Sequence, residues 1–174
     1  MLFRSGITMK EINIRDIKTS AVELINDGWG LVTAGTPESF NTMTVSWGAL
    51  GEIWGKDAAF IFIRLNRYTY EFLEKNPIFT LSFYGREMRP ALAFCGSKSG
   101  RDFDKPAETG LKPLAVDGAV TFEQAKYTLV CKTAASQLIT PDSFIDPSIG
   151  KNYNRDGSDL HKMYIGEILK VYEN

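Results

Sequence analysis

The chain has 174 residues, 44% of them hydrophobic and 24% charged, and 20 Lys+Arg against 21 Asp+Glu leave a formal net charge of −1. That length suits one compact domain with a sizeable core, and 11 Phe, 7 Tyr and 3 Trp argue against disorder. Balanced charge without like-charge blocks argues against a nucleic-acid surface, and no apolar run reaches the ~18 residues of a membrane span.

The first eight residues (1–8, up to Thr8) carry no clear pattern and are expected to be a disordered or extraneous arm, with Met9 as a candidate start. One domain is expected over 9–174. Thr19 to Asn26 sets Ala21, Val22, Leu24 and Ile25 at helical spacing, closed by Gly28. Trp29 to Ala34 reads as a strand. Thr42 to Trp47 alternates, with Met43, Val45 and Trp47 on one face and Thr42, Thr44 and Ser46 on the other. Ala58 to Leu65 is a nearly continuous apolar run, hence a buried strand, and Asn66 can cap a helix from about Arg67 to Lys75. Ile78 to Tyr84 alternates again, with Phe79, Leu81 and Phe83 together.

Arg86 to Cys95 predicts a short helix stopped at Gly96, followed by a polar loop, Gly96 to Asp102, that leads into Asp104-Lys105-Pro106. Leu111 to Val116 and Gln124 to Ala134 read as strands, and Thr140 to Asn154 as an irregular segment. His161 to Tyr172 closes the chain as a long strand interrupted by Gly166. Long antiparallel-looking strands with inserted helices predict a mainly β, α+β domain on a barrel-like sheet.

Several chemistries are poorly supported. No basic-then-apolar signal peptide opens the chain, and Cys95 and Cys131 are too few for a disulfide framework, so a cytoplasmic location is the expectation. His161 is the only histidine, which leaves too few ligands for a zinc site; a His-dependent nucleophile would have to use it, and no GxSxG turn accompanies it. Ser148 to Lys151 spells SxxK without partner motifs, and Gly28-Trp29-Gly30 is followed by Thr33 where a dinucleotide fingerprint needs glycine. No metal and no catalytic side chain is assigned; a bound cofactor is expected to carry any reaction.

Three segments combine small hydroxyls with fixed positive charge. Thr42, Thr44 and Ser46 could let a flat, hydrogen-bonding ring lie close, or could be the polar face of an ordinary half-buried strand. Arg64 and Arg67 at a helix start suit a phosphate, or they pair with Glu71 or Glu74. The loop from Gly96 to Asp102, with Lys98, Arg101 and the nearby Lys105, could approach an anion or simply end a helix.

Taken in order, the segments Asn41 to Gly48, Arg64 to Tyr70, Ser97 to Lys105 and His161 to Glu167 resemble the flavin reductase-like, FMN-binding split-barrel proteins, the flavoredoxin-like branch in particular. The resemblance runs from about residue 28 to 172. It implies a split β-barrel of about six antiparallel strands with peripheral helices, and a homodimer holding FMN near its interface. Thr44, Val45 and Ser46 would meet the polar edge of the flavin ring, walled by Met43 and Trp47. Arg64, Asn66, Arg67 and Thr69 would hold the phosphate, with Ser99 and Lys105 closing the site. Asn66 stands where related sequences often carry Ser or Ala. The resemblance implies an NAD(P)H-dependent flavin reductase; the alternatives are an electron carrier with a protein redox partner, or a non-catalytic flavin-binding protein. His161 could face flavin or nicotinamide, or be a structural residue at a strand end.

Overall fold

The computed structural model describes residues 8–174, so the arm expected at 1–8 lies, apart from Thr8, outside the described residues. Along the chain run β1 (Lys10–Ile12), β2 (Gly30–Thr36), β3 (Ser39–Val45), β4 (Gly48–Ile53), β5 (Lys56–Arg64) and α1 (Tyr68–Lys75). They are followed by β6 (Ile78–Phe83), α2 (Arg89–Ser97), α3 (Lys105–Thr109), β7 (Pro113–Val116), β8 (Ala119–Phe122), β9 (Tyr127–Leu138) and β10 (His161–Glu173).

One antiparallel sheet dominates, in the order β3-β2-β6-β9-β10-β5-β4, with β1 added beside the end of β10. Its two edge strands, β3 and β4, are consecutive in the chain and joined only by Ser46 and Trp47. Three Cα steps span at most about 11 Å, whereas seven flat strands would be roughly 29 Å across at their usual spacing. The sheet therefore curls until its edges almost meet. The result is a mainly β, barrel-like sheet left open along the β3/β4 seam.

The core fills the inside of this curl. Phe79, Leu81 and Phe83 of β6 are buried as their alternation predicts, against Leu129 and Cys131 of β9 and Ile61 and Ile63 of β5. Gly166 does not interrupt β10; the register against β9 shifts there, and a Cβ would lie 2.6 Å from the Phe79 ring. The β4–β5 hairpin turns through Trp54 and Gly55, both at positive φ (55° and 71°), the primed geometry that suits strand twist.

Among the described residues ten strands replace the six or so expected. β4 escapes notice because it exposes most of both faces and so has no alternation, and β8 because all four residues are buried. α3 follows the expected loop, in a stretch for which the sequence offers no element: Asp104 caps it by accepting from the Ala107 amide at 3.1 Å. The predicted helix at 19–26 is helical, but its second half widens to a π-helix over Glu23–Asp27. α2 starts at Arg89 after a single 3₁₀ turn and runs through Gly96 to Ser97. The cap of α1 is Arg67 rather than Asn66, whose exposed side chain makes no capping bond. Among the described residues no helix is long and apolar enough to cross a membrane.

Candidate functional site

A cleft of about 260 Å³ opens on the seam. β3 supplies Met43, Thr44 and Val45, and the connector supplies Ser46 and Trp47. β5 supplies Phe62 and Arg64, while β10 begins with His161, in register opposite Arg64. Arg67, ahead of α1, and Gly96, in the last turn of α2, complete the lining. The Trp47 and His161 rings lie 5.1 Å apart.

Crossing the seam changes what the alternating segment does. β3 ends at Val45, so Trp47 does not follow Met43 and Val45 into the core but stands 48% exposed. Ser46 and Trp47 lie between two ladders, so strand pairing does not commit their backbone groups. The expected hydroxyl face is covered from behind. Thr42 is buried and shares a 2.9 Å bond with Thr33, and Thr44 Oγ1 donates to the Leu92 carbonyl of α2 at 2.5 Å.

Positive charge is in excess here. Arg64 Nη1 donates to Asp159 Oδ2 at 2.8 Å and to the carbonyls of Asn152 and Asp159 at 3.1 and 3.2 Å. Arg67 donates to carbonyls only, Gly96 at 2.9 Å and Cys95 at 3.3 Å. Burial, and Arg64 beside it, lower the Arg67 pKa. Glu71 and Glu74 are taken by Arg101 and Lys162, so neither is the partner of these two arginines. The cleft lining holds two guanidiniums and no carboxylate, and Asp159 behind Arg64 is the one acid set against them among the described residues. His161 is buried, with Nδ1 2.7 Å from the Tyr153 hydroxyl. Burial first and Arg64 second lower its pKa to about 4, against the pull of Asp159, so the ring is neutral at pH 7.

Four expected site residues do not line the cleft. Asn66 is exposed, and Thr69 is buried, accepting from Asn41 Nδ2 at 2.8 Å. Ser99 Oγ accepts from the Arg101 amide at 3.2 Å within its own turn. Lys105 is buried and clips two elements together, donating to Thr42 O at 2.7 Å and Cys95 O at 3.0 Å. Burial, helped by Arg67, brings its pKa down to about 8. Gly96, the start of the loop read as a possible anion segment, lines the cleft; so does Phe62, while Asp159 and Tyr153 support it, and no sequence pattern marks these three as site residues. The lining can therefore bind an anion and a flat ring, but it offers no nucleophile with a base beside it.

The family model of the flavin reductase like domain matches residues 23–174. The chain belongs to this family. As a flavin reductase-like domain it also shares its fold with solved structures of low identity. An FMN-binding domain of a flavin reductases-like enzyme from Shewanella baltica superposes with a TM-score of 0.67 at 18% identity, over 95% of this chain and 77% of that one. Flavoredoxin from Methanosarcina acetivorans gives 0.66 at 17% identity, over 95% and 76%. An FMN-binding protein from Thermus thermophilus, with bound p-hydroxybenzaldehyde, gives 0.65 at 20% identity, over 84% and 71%. The split β-barrel is thus the fold of this domain. No curated protein matches the chain significantly in sequence.

Proposed function

We propose that the cleft binds FMN and that the chain is an NAD(P)H-dependent flavin reductase working as a homodimer. The observation that carries this reading is the excess charge of Arg64 and Arg67, opposed by Asp159 alone at the start of α1. A phosphate would relieve it through charge-assisted fork bonds from the two guanidiniums.

The rest of the lining suits the ring. Uncommitted backbone groups at Ser46 and Trp47 match a hydrogen-bonding pyrimidine edge, while Met43, Val45 and Phe62 supply apolar contact. The bound flavin supplies the electron chemistry, accepting two electrons from a nicotinamide and passing them on. This chain's part is to hold the phosphate, to orient the ring against β3, and to present neutral His161 and Trp47 at the mouth. An open seam with a half-exposed Trp47 leaves a bound ring partly uncovered, which supports a second subunit as its cover.

Absorption spectra of the purified protein with added FMN test the binding, and oxidation of NADH and NADPH with and without FMN tests the activity. Failure to take up FMN ends this reading. Uptake with nicotinamide oxidation supports the reductase; uptake with reduction only by a protein donor would make the chain a flavoredoxin-like carrier. Uptake with neither would leave a flavin-binding protein. FMN affinity that is unchanged when the protein is diluted to monomers would count against the dimer.

A further inference from the structure

Tyr153 lies in the long excursion between β9 and β10, outside the lining of the cleft. Its hydroxyl is 2.7 Å from His161 Nδ1, with the two rings edge to face at 81°. The phenol is itself held in place: it stacks on Phe144 at 16° and 5.7 Å, and the Arg64 guanidinium lies over it at 5.2 Å. Both nitrogens of a neutral imidazole cannot carry a proton, so whichever way this bond runs sets the character of Nε2. A phenol is a stronger donor than acceptor, neutral imidazole is a good acceptor, and a cation over the phenol ring strengthens the O–H as donor.

We propose that Tyr153 donates to Nδ1 and locks His161 in the Nε2–H tautomer, making Nε2 an uncharged donor at the cleft mouth for a carbonyl oxygen of the molecule seated beside Trp47. The ring nitrogen left over for a ligand is Nε2, since Nδ1 is taken. The groups that face this histidine are Arg64 from β5, Asp159 and Tyr153 from the excursion and Trp47 from the seam. Of these, Arg64 works with burial to keep the ring neutral. Tyr153 is a positioning residue. Its role at the cleft rests on the reductase reading, but the tautomer itself does not.

The single histidine makes the test clean, because long-range ¹H–¹⁵N spectra of the flavin-free protein contain one native imidazole. At pH 7 the wild type is expected to carry its proton on Nε2. Tyr153→Phe keeps the ring and its stacking but removes the hydroxyl, and is expected to give a mixture of the two tautomers. A wild-type proton on Nδ1, or a variant spectrum like that of the wild type, would overturn the lock. In the FMN-loaded protein, Tyr153→Phe is expected to raise the KM for NADH about fivefold, as loss of one oriented donor should, with a smaller change in kcat. An altered tautomer with unchanged KM overturns the role at the cleft. A protein that binds no FMN yet shows the tautomer shift supports the lock while removing the reductase reading.

Discussion

Arg67 donates through Nη1 to the carbonyl oxygen of Gly96 at 2.9 Å, tying the start of α1 to the end of α2. The residue is held by backbone dipoles instead of a carboxylate, so it keeps its charge for a ligand. Arg64 is held differently, by Asp159 at 2.8 Å. The two arginines therefore should not respond alike to mutation.

Arg64→Ala and Arg67→Ala are each expected to weaken FMN binding at least tenfold while leaving riboflavin binding nearly unchanged. Each lost charge-assisted contact should cost roughly 1.5–3 kcal/mol, and riboflavin has no phosphate to lose. Both variants should also lower the melting temperature, Arg67→Ala because the Gly96 and Cys95 carbonyls lose a donor, and Arg64→Ala more so because the buried Asp159 loses its ion-pair partner. Titration of flavin fluorescence measures both affinities. Equal affinity of the wild type for FMN and riboflavin would remove the phosphate from this corner of the cleft.

Thr44 is expected to matter more for stability than for the ring. Its hydroxyl already donates to Leu92 O, bolting α2 onto β3. Thr44→Val keeps shape and strand propensity but removes this tie between β3 and α2, at a cost of about 0.5–1.5 kcal/mol, since Leu92 O keeps its place in the helix. Urea unfolding should show the loss, with FMN affinity changing by less. A variant as stable as its parent but poorer in FMN binding would return the hydroxyl to the flavin.

Local pattern made much of this architecture legible. β6 and β9 alternate because one face of each meets the hydrophobic core, and the long strand read over His161 to Tyr172 is β10, which Gly166 does not interrupt. The lining from Met43 to Trp47 and both arginines were readable as a group. Long-range charge and closure were not. That Asp159 faces Arg64 follows from a turn just before β10, and that Lys105 faces inward follows from α3, whose five residues are too few for a periodic signal. Strict alternation set Trp47 on the face of Met43 and Val45, which are buried, but the need to cross the seam turned it outward.

Lys105 offers a way to separate scaffold from binding. Lys105→Met keeps most of the buried volume and removes the ammonium that bridges Thr42 O and Cys95 O. Removing a desolvated charge helps, but Thr42 O and Cys95 O each lose a charged donor, Cys95 O keeping only Arg67 Nη2 at 3.3 Å, so a net loss on the order of 1–2 kcal/mol is expected. Because the clip acts through β3 and α2, FMN and riboflavin should lose affinity in the same proportion. Loss confined to FMN would mean that Lys105 reaches the phosphate directly.

The last expectation concerns acid. In the unfolded chain His161 should titrate near 6.5, whereas in the folded chain burial and then Arg64 hold its pKa at about 4, with Asp159 acting in the opposite direction. Between those two values the unfolded state binds a proton that the folded state refuses. Stability is then fully present above about pH 6.5 and drains away as the pH falls towards 4, by about 3 kcal/mol at most. Asp142, Asp146 and Asp156 also have lowered pKa values, each through hydrogen bonds within its own turn. Their contribution is lost only as pH drops below the ordinary carboxylate range, so the histidine interval stands apart from theirs. Urea unfolding at several pH values between 7 and 4.5 should show the decline in the wild type, and His161→Gln should flatten it across the same interval. A wild-type curve already flat there would mean that the folded ring accepts a proton as readily as the unfolded one, and the neutral donor at the cleft mouth would then be lost.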